Sequence, residues 1–196
     1  EIPYTFVVGG TELVLTSNNI SGNGVEIADG ETNFSVDDDT EYGLVDTNTS
    51  VDHTFTIENT VDGSTLDLNG SPNIVAISGN AAFTIEIQPS ANSISGVNSL
   101  TFVVRFSPTT TNQVTAEISI ANSDSNEDPY TFSVRGTGRT PQSEIHVSGN
   151  GIEITSATAI SLLNHTSLGA GTHGPEYIPT YTIKNTGSLN LIIGDD

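Results

Sequence analysis

The sequence has no cysteine, methionine or tryptophan, and its lysines and arginines together number only four. Without cysteine there can be no disulfide, no zinc–thiolate centre and no thiol nucleophile. A secreted form of such a chain must be held by its core, with or without metal, rather than by crosslinks. Against the four basic residues stand 24 acidic ones, a formal net charge of −20. That balance repels phosphate backbones and anionic membranes, so nucleic acid and direct membrane insertion are set aside as partners. It suits cations, high salt and solubility. No apolar run approaches the roughly 20 residues of a membrane-spanning helix. Glu1 opens the chain without a basic-then-apolar leader pattern, which reads as a mature or internal segment.

Helical periodicity is missing too, and the apolar period is two wherever it can be read. Phe83, Ile85 and Ile87 alternate with Thr84, Glu86 and Gln88. Leu100, Phe102, Val104 and Phe106 behave in the same way, as do Val114, Ala116, Ile118 and Ile120, and then Tyr130, Phe132 and Val134. These runs are rich in β-branched and aromatic residues, and Pro, Gly, Asn or Ser bounds them. Further strands are expected near 20–27, 53–59, 65–68 and 73–78. Roughly eight short strands with regular turns point to an all-β, immunoglobulin-like β-sandwich. Its core is expected to hold Phe55, Ile57, Phe83, Ile85, Phe102, Val104, Phe106, Ile118, Ile120, Tyr130 and Phe132.

The chain also repeats itself. The segment from Pro3 to Thr11 recurs from Pro129 to Thr137, an offset of 130 − 4 = 126 for the tyrosines. Ile20 to Ile27 recurs as Val147 to Ile154, where the asparagines give 150 − 23 = 127. Phe55 to Thr60 recurs as Tyr181 to Thr186, again 181 − 55 = 126. Three matches in one order at nearly one spacing imply tandem repeats of about 126 residues. The phase makes 1–12 the last strand of one repeat, 13–140 a complete repeat and 141–196 the first part of a following one.

Several stretches carry a more specific likeness: Gly22 to Gly30, Glu41 to Gly43, Phe55 to Thr60, Phe102 to Pro108 and Pro129 to Gly138. In these the chain resembles the choice-of-anchor D repeat, one of the Hydin-type immunoglobulin-like domains. The resemblance implies a large bacterial surface protein, of a kind often exported by type IX secretion and anchored through a separate C-terminal signal. It implies an extracellular or cell-surface location, and neighbouring repeats or adjacent subunits as partners. The family brings no catalytic motif, so no enzyme activity is expected. The expected function is a structural repeat, stalk or filament, of an adhesin or extracellular fibre. The alternative is a carbohydrate- or protein-binding accessory module of a larger secreted protein. From Ser156 to Gly174 the sequence departs from the pattern, replacing an acidic loop with one rich in Leu, His and Gly.

Two acidic loops are the candidate sites. One holds Asp29, Glu31, Asp37, Asp38 and Asp39; the other holds Asp124, Glu127 and Asp128. Carboxylates mixed with Asn and Ser on loops are the oxygen-rich chemistry that Ca2+ takes, although neither loop matches an EF-hand. The same residues would serve equally as solvated, solubilising charge. In an immunoglobulin-like sandwich 28–50 and 121–129 are expected at opposite poles, where Ca2+ could bridge carboxylates across the joints between repeats. The histidines offer less: His165 and His173 share a Gly-rich loop without acidic partners, and His53 and His146 sit at strand starts. Gly-x-Ser-x-Gly is absent. Arg105 and Arg135 are expected to flank Glu117 across neighbouring strands.

Overall fold

The structure, a computed structural model, describes residues 17–155, 159, 161–167 and 178–194. The first strand expected at 1–12 lies outside them. Two compact units divide the chain, within Glu1–Arg139 and Thr140–Asp196. No described residue is helical, and no helix is long and apolar enough to cross a membrane.

Among the described residues, eleven strands build the first unit. They are β1 (Asn18–Gly22), β2 (Val25–Ile27), β3 (Glu41–Asp46), β4 (Val51–Asn59), β5 (Thr65–Asp67), β6 (Val75–Gly79), β7 (Phe83–Ile87), β8 (Ser93–Ser95), β9 (Ser99–Phe106), β10 (Gln113–Ile120) and β11 (Tyr130–Arg139). One sheet runs β2-β1-β4-β9-β7 and the other β3-β11-β10-β6, with β5 and β8 forming a small ribbon. The first sheet corresponds to strands A, B, E and D of an immunoglobulin-like domain, the second to C, F and G. The opening strand is split between them: β1 pairs antiparallel with β4, and β3 pairs parallel with β11.

Period-two patterning drives this arrangement, because one face of each strand is apolar and must be covered. Phe55, Ile57, Phe102, Val104 and Phe106 are buried from one sheet; Ile118, Ile120, Tyr130, Phe132 and Val134 are buried from the other. Phe55 joins the layers, its ring centroid 5.5 Å from Phe102 and 5.3 Å from Phe132. Of the expected core, Ile85 alone is only partly buried, next to a register shift between Ile85 and Ile87.

Strand β3 falls inside the stretch 28–50 that the sequence marks as loop. Its buried apolar residues are Tyr42 and Val45, three apart, with Gly43 at φ 64° between them and a register shift against β11. An irregularity of this kind breaks the alternation by which a strand is recognised.

The second unit contains β12 (Ile145–Gly149), β13 (Ile152–Glu153) and β14 (Tyr181–Asn185), in the order β13-β12-β14. Its registers reproduce those of β2-β1-β4. Gly149 lies opposite Ile152 and Tyr181, as Gly22 lies opposite Val25 and Phe55. The hairpin turns match too, with Asn23 and Gly24 at φ 50° and 76° and Asn150 and Gly151 at 51° and 74°. Positive φ at both central positions is the hairpin turn for which Asn-Gly is selected.

Candidate functional site

The aspartate run 37–39 is held in a compact loop. The Asp38 carboxylate is buried, and its Oδ1 accepts from the Thr40 N–H at 2.9 Å and the Thr40 hydroxyl at 2.6 Å. Thr40 Oγ1 accepts from the Ser35 N–H at 2.9 Å, Ser35 Oγ from the Asp37 N–H at 3.0 Å, and Ser35 O from the Glu41 N–H at 2.9 Å. Each is the local side-chain-to-backbone bond that Asp, Ser and Thr offer in turns. Asp39 stands at φ 64°, and its carbonyl accepts from His53 Nδ1 at 2.7 Å. The His53 ring stacks on Tyr42 with centroids 3.9 Å apart, and the Tyr42 hydroxyl donates to Val104 O at 2.8 Å.

The second unit repeats the Ser-to-Thr bonding of this loop without the charge. Asn164 Oδ1 accepts from the Thr166 N–H at 3.2 Å and its hydroxyl at 2.7 Å. Thr166 Oγ1 accepts from the Ser161 N–H at 2.9 Å, and Ser161 O from the Ser167 N–H at 2.9 Å. His165 takes the positive φ of Asp39, at 65°. Leu163, Asn164 and His165 thus stand where Asp37, Asp38 and Asp39 stand, 126 residues earlier (164 − 38). What the two loops share is one carboxyl or carboxamide oxygen and two hydroxyls, which brace a turn. In each, the main-chain oxygen of the buried residue, Asp38 or Asn164, closes against a glycine, Gly22 or Gly149, where any Cβ would overlap it. The expected replacement of the acidic loop at 156–174 is therefore a change of charge, not of loop design, relative to the first unit across the described part 161–167. His173 lies outside the described residues.

Asp29 and Glu31 belong elsewhere. Asp29 Oδ1 accepts from the Thr131 N–H at 2.8 Å, and Glu31 Oε2 from the Ala28 N–H at 3.0 Å. Asp128 Oδ1 accepts from the Asn122 N–H at 2.9 Å, and buried Asp124 turns its Oδ2 to the Asn18 N–H at 3.3 Å. Burial, and then the charges of Asp124, Asp29 and Glu26, push the Glu127 carboxyl above its ordinary value. Burial, then Glu127, Asp29 and Glu26, push the Tyr130 hydroxyl up to about 12; that hydroxyl donates to Ile27 O. Asp29 thus shares one end of the sandwich with Asp124 and Glu127. Asp37–Asp39 sit by the turn after Gly22, at the far end of β1, where Asn23 Nδ2 donates to Asp37 O at 3.3 Å. The expected placement of 28–50 and 121–129 at opposite poles therefore fails for Asp29. Among the described residues, no three acidic or imidazole side chains converge to hold a metal ion. Asp29, Glu31, Asp38, Asp124 and Asp128 are engaged by backbone N–H groups.

The arginines close ion pairs within the first unit. Arg105 Nε and Nη2 each meet an oxygen of Asp52 at 2.7 Å, and Nη1 meets Glu86 at 2.8 Å. The hydrogen bond from Arg105 holds the Asp52 carboxyl below its usual range. Arg135 Nε donates to Glu41 at 2.6 Å and its guanidinium lies 4.4 Å over the Phe34 ring; Arg139 Nε donates to Asp46 at 2.6 Å. Of the strands expected to flank that of Glu117, β11 does, with Arg135 diagonal to Glu117 two positions from its partner Ser133, whereas β9 with Arg105 does not. Arg105 and Arg135 sit in different sheets, and a residue on β10 cannot flank both.

No family model matches this chain, and no curated protein matches it. Solved structures give distant likenesses. A protein of unknown function from Porphyromonas gingivalis W83 aligns at a TM-score of 0.45 and 16% identity, over 66% of this chain and 50% of that one. The ASH/PapD-like domain 7 of human CEP192 aligns at 0.44 and 9%, over 72% and 99%. The VesB protease of Vibrio cholerae aligns at 0.38 and 15%, over 51% and 29%. The chain thus spans half the length of the Porphyromonas protein. The immunoglobulin-like character of the fold rests on its strand order, not on these likenesses.

Proposed function

We propose that this chain is a structural repeat, part of a stalk or filament, from a secreted bacterial surface adhesin or extracellular fibre. The observation that carries the reading is a single construction met twice. Hairpin register, Asn-Gly turn, glycine approach and Ser-to-Thr loop bonding recur 126 to 127 residues apart, as 164 − 38 and 149 − 22. Tandem copies of one β-sandwich make an extended, quasi-one-dimensional body. The likeness to choice-of-anchor D repeats suggests that such bodies lie outside the cell. Strong acidity keeps neighbouring molecules apart in solution. Tyr42 and Tyr130 are buried, which takes two of the five tyrosines away from any sugar-stacking platform of an accessory module. Calcium, in this reading, would draw its ligands from two adjoining repeats.

The test is location. Antibodies raised against residues 18–139 should label intact cells of the source organism and decorate a thread-like structure by electron microscopy. Protein confined to the soluble cytosolic fraction would overturn the proposal.

A further inference from the structure

Among the described residues, the two sheets of the first unit end in four edge strands, β2 and β7 in one sheet and β3 and β6 in the other. An edge strand offers N–H and C=O groups to any strand that comes alongside, and charge, shortness or a bulge blunts it. Three of the four edges are blunted in this way. β2 is three residues long and carries Glu26, β3 carries Glu41 and Asp46 around a register shift, and β7 carries Glu86 at another. β6 has five residues, none of them charged, and pairs with β10 without a shift. Ala76, Ser78 and Gly79 are exposed.

What closes β6 is a side chain. Gln88 follows β7 directly, and its carboxamide faces the Val75 peptide groups. The Val75 N–H donates to Oε1 at 2.8 Å, and Nε2 donates to Val75 O at 2.9 Å. A residue of a neighbouring antiparallel strand makes the same pair of bonds. By alternation Ala76 and Ser78, opposite Ser119 and Glu117, turn their peptide groups towards β10, and Ile77 turns its own to the side on which Gln88 meets Val75. Beside Gln88 a hollow of about 420 Å³ runs between β6 and β7, lined by Ile77, Thr84 and Ile85.

We propose that the Gln88 carboxamide stands in for an added strand and keeps β6 closed to the β6 of a second copy of this chain. The chemistry of the edge names that partner. Its residues are uncharged, so two copies meet there without local repulsion despite the net charge of −20. Antiparallel pairing about Ile77 sets Val75 of each copy opposite Gly79 of the other. The same patch serves both copies, so the contact closes at a dimer. With Gln88 in place, an incoming strand must first displace both of its bonds to Val75. Molecules can then lie side by side without merging their sheets. The inference stands on the first unit alone and does not depend on the stalk reading.

Hydrogen exchange and sedimentation of the whole chain test this. In the wild-type protein the Val75 amide should exchange slowly and the Ile77 amide fast at every concentration. Gln88→Ala should carry the mean mass towards about twice the wild-type value as concentration rises, with the Ile77 amide protected in the dimer. Gln88→Leu, which keeps the bulk of the side chain and removes both hydrogen bonds, should do the same. Ser78→Lys added to either variant should restore the wild-type mass, because a lysine on the edge opposes pairing. Three results overturn the proposal: an Ile77 amide as slow as that of Val75 in the wild-type protein, folded Gln88 variants whose mass follows the wild type at every concentration, or dimers that persist with Ser78→Lys.

Discussion

The hairpin and strand β2-β1-β4 of the first unit and β13-β12-β14 of the second share register and turn but not burial. Phe55 and Ile57 are sealed beneath a second sheet, whereas Tyr181 and Ile183 face open space among the described residues. Local geometry in this protein therefore does not depend on the completed core. The Asn-Gly turn, the glycine that admits a main-chain oxygen and the Ser-to-Thr bonding network are short-range devices, and they form in both places. The core is long-range, and among the described residues it is assembled in the first unit.

The largest test of that difference lies in the core. Phe102→Ala should destabilise the first unit by about 3–5 kcal/mol, because a fully buried ring leaves a cavity that its neighbours cannot fill. Ile183→Ala, at the second unit's counterpart of buried Ile57, should cost under ~1 kcal/mol, since exposed positions lose little. Urea unfolding followed separately for each unit would decide this, and equal costs would break the comparison.

Next comes the shared close approach. Gly22→Ala should cost about 1–3 kcal/mol through overlap with the Asp38 carbonyl, with a comparable local loss for Gly149→Ala against Asn164. Hydrogen exchange of Thr40 and Thr166 amides would report each loop by itself.

A smaller effect separates charge from geometry in the acidic loop. Asp38→Asn should change stability by less than ~0.5 kcal/mol, because Asn164 already performs that role in the second unit. Asp38→Ala should cost about 1–3 kcal/mol by stranding the two Thr40 donors. If Asp38→Asn proved as damaging as Asp38→Ala, the carboxylate would have a role beyond bracing the turn.

The smallest effect is electrostatic and confined to the other acidic end. Glu127 has a raised folded-state value, so between the ordinary glutamate value of 4.5 and that raised value the folded protein binds more protons than the unfolded one. Its contribution to stability therefore falls as pH rises through this window. Glu127→Gln should raise the melting temperature at neutral pH, and the gain should vanish below pH 4.5. Asp52 acts in the opposite sense: its depressed value means that its contribution is lost only as pH falls below the ordinary aspartate range. Melting curves of Glu127→Gln and Asp52→Asn proteins across pH would show the two signs.

Much of the fold is legible in the residues themselves. Alternation from Leu100 to Phe106, from Val114 to Ile120 and from Tyr130 to Val134 marks strands, because a pleated backbone sends successive side chains to opposite faces. The recurrence at 126 residues marks where the construction starts again. The strand at 41–46 stayed hidden, since Gly43 and a register shift break its period. The roles of the acidic residues were equally beyond reach. Asp29, Asp38 and Asp128 are alike as letters, but one caps Thr131, one braces Thr40 and one holds Asn122. Which backbone N–H a carboxylate meets depends on how strands distant in sequence fold together. Periodicity and repetition are local properties that the sequence by itself determined. The division of one acidic stretch between two ends, the partners of each arginine and the sealing of one sheet were decided only when the two layers closed on each other.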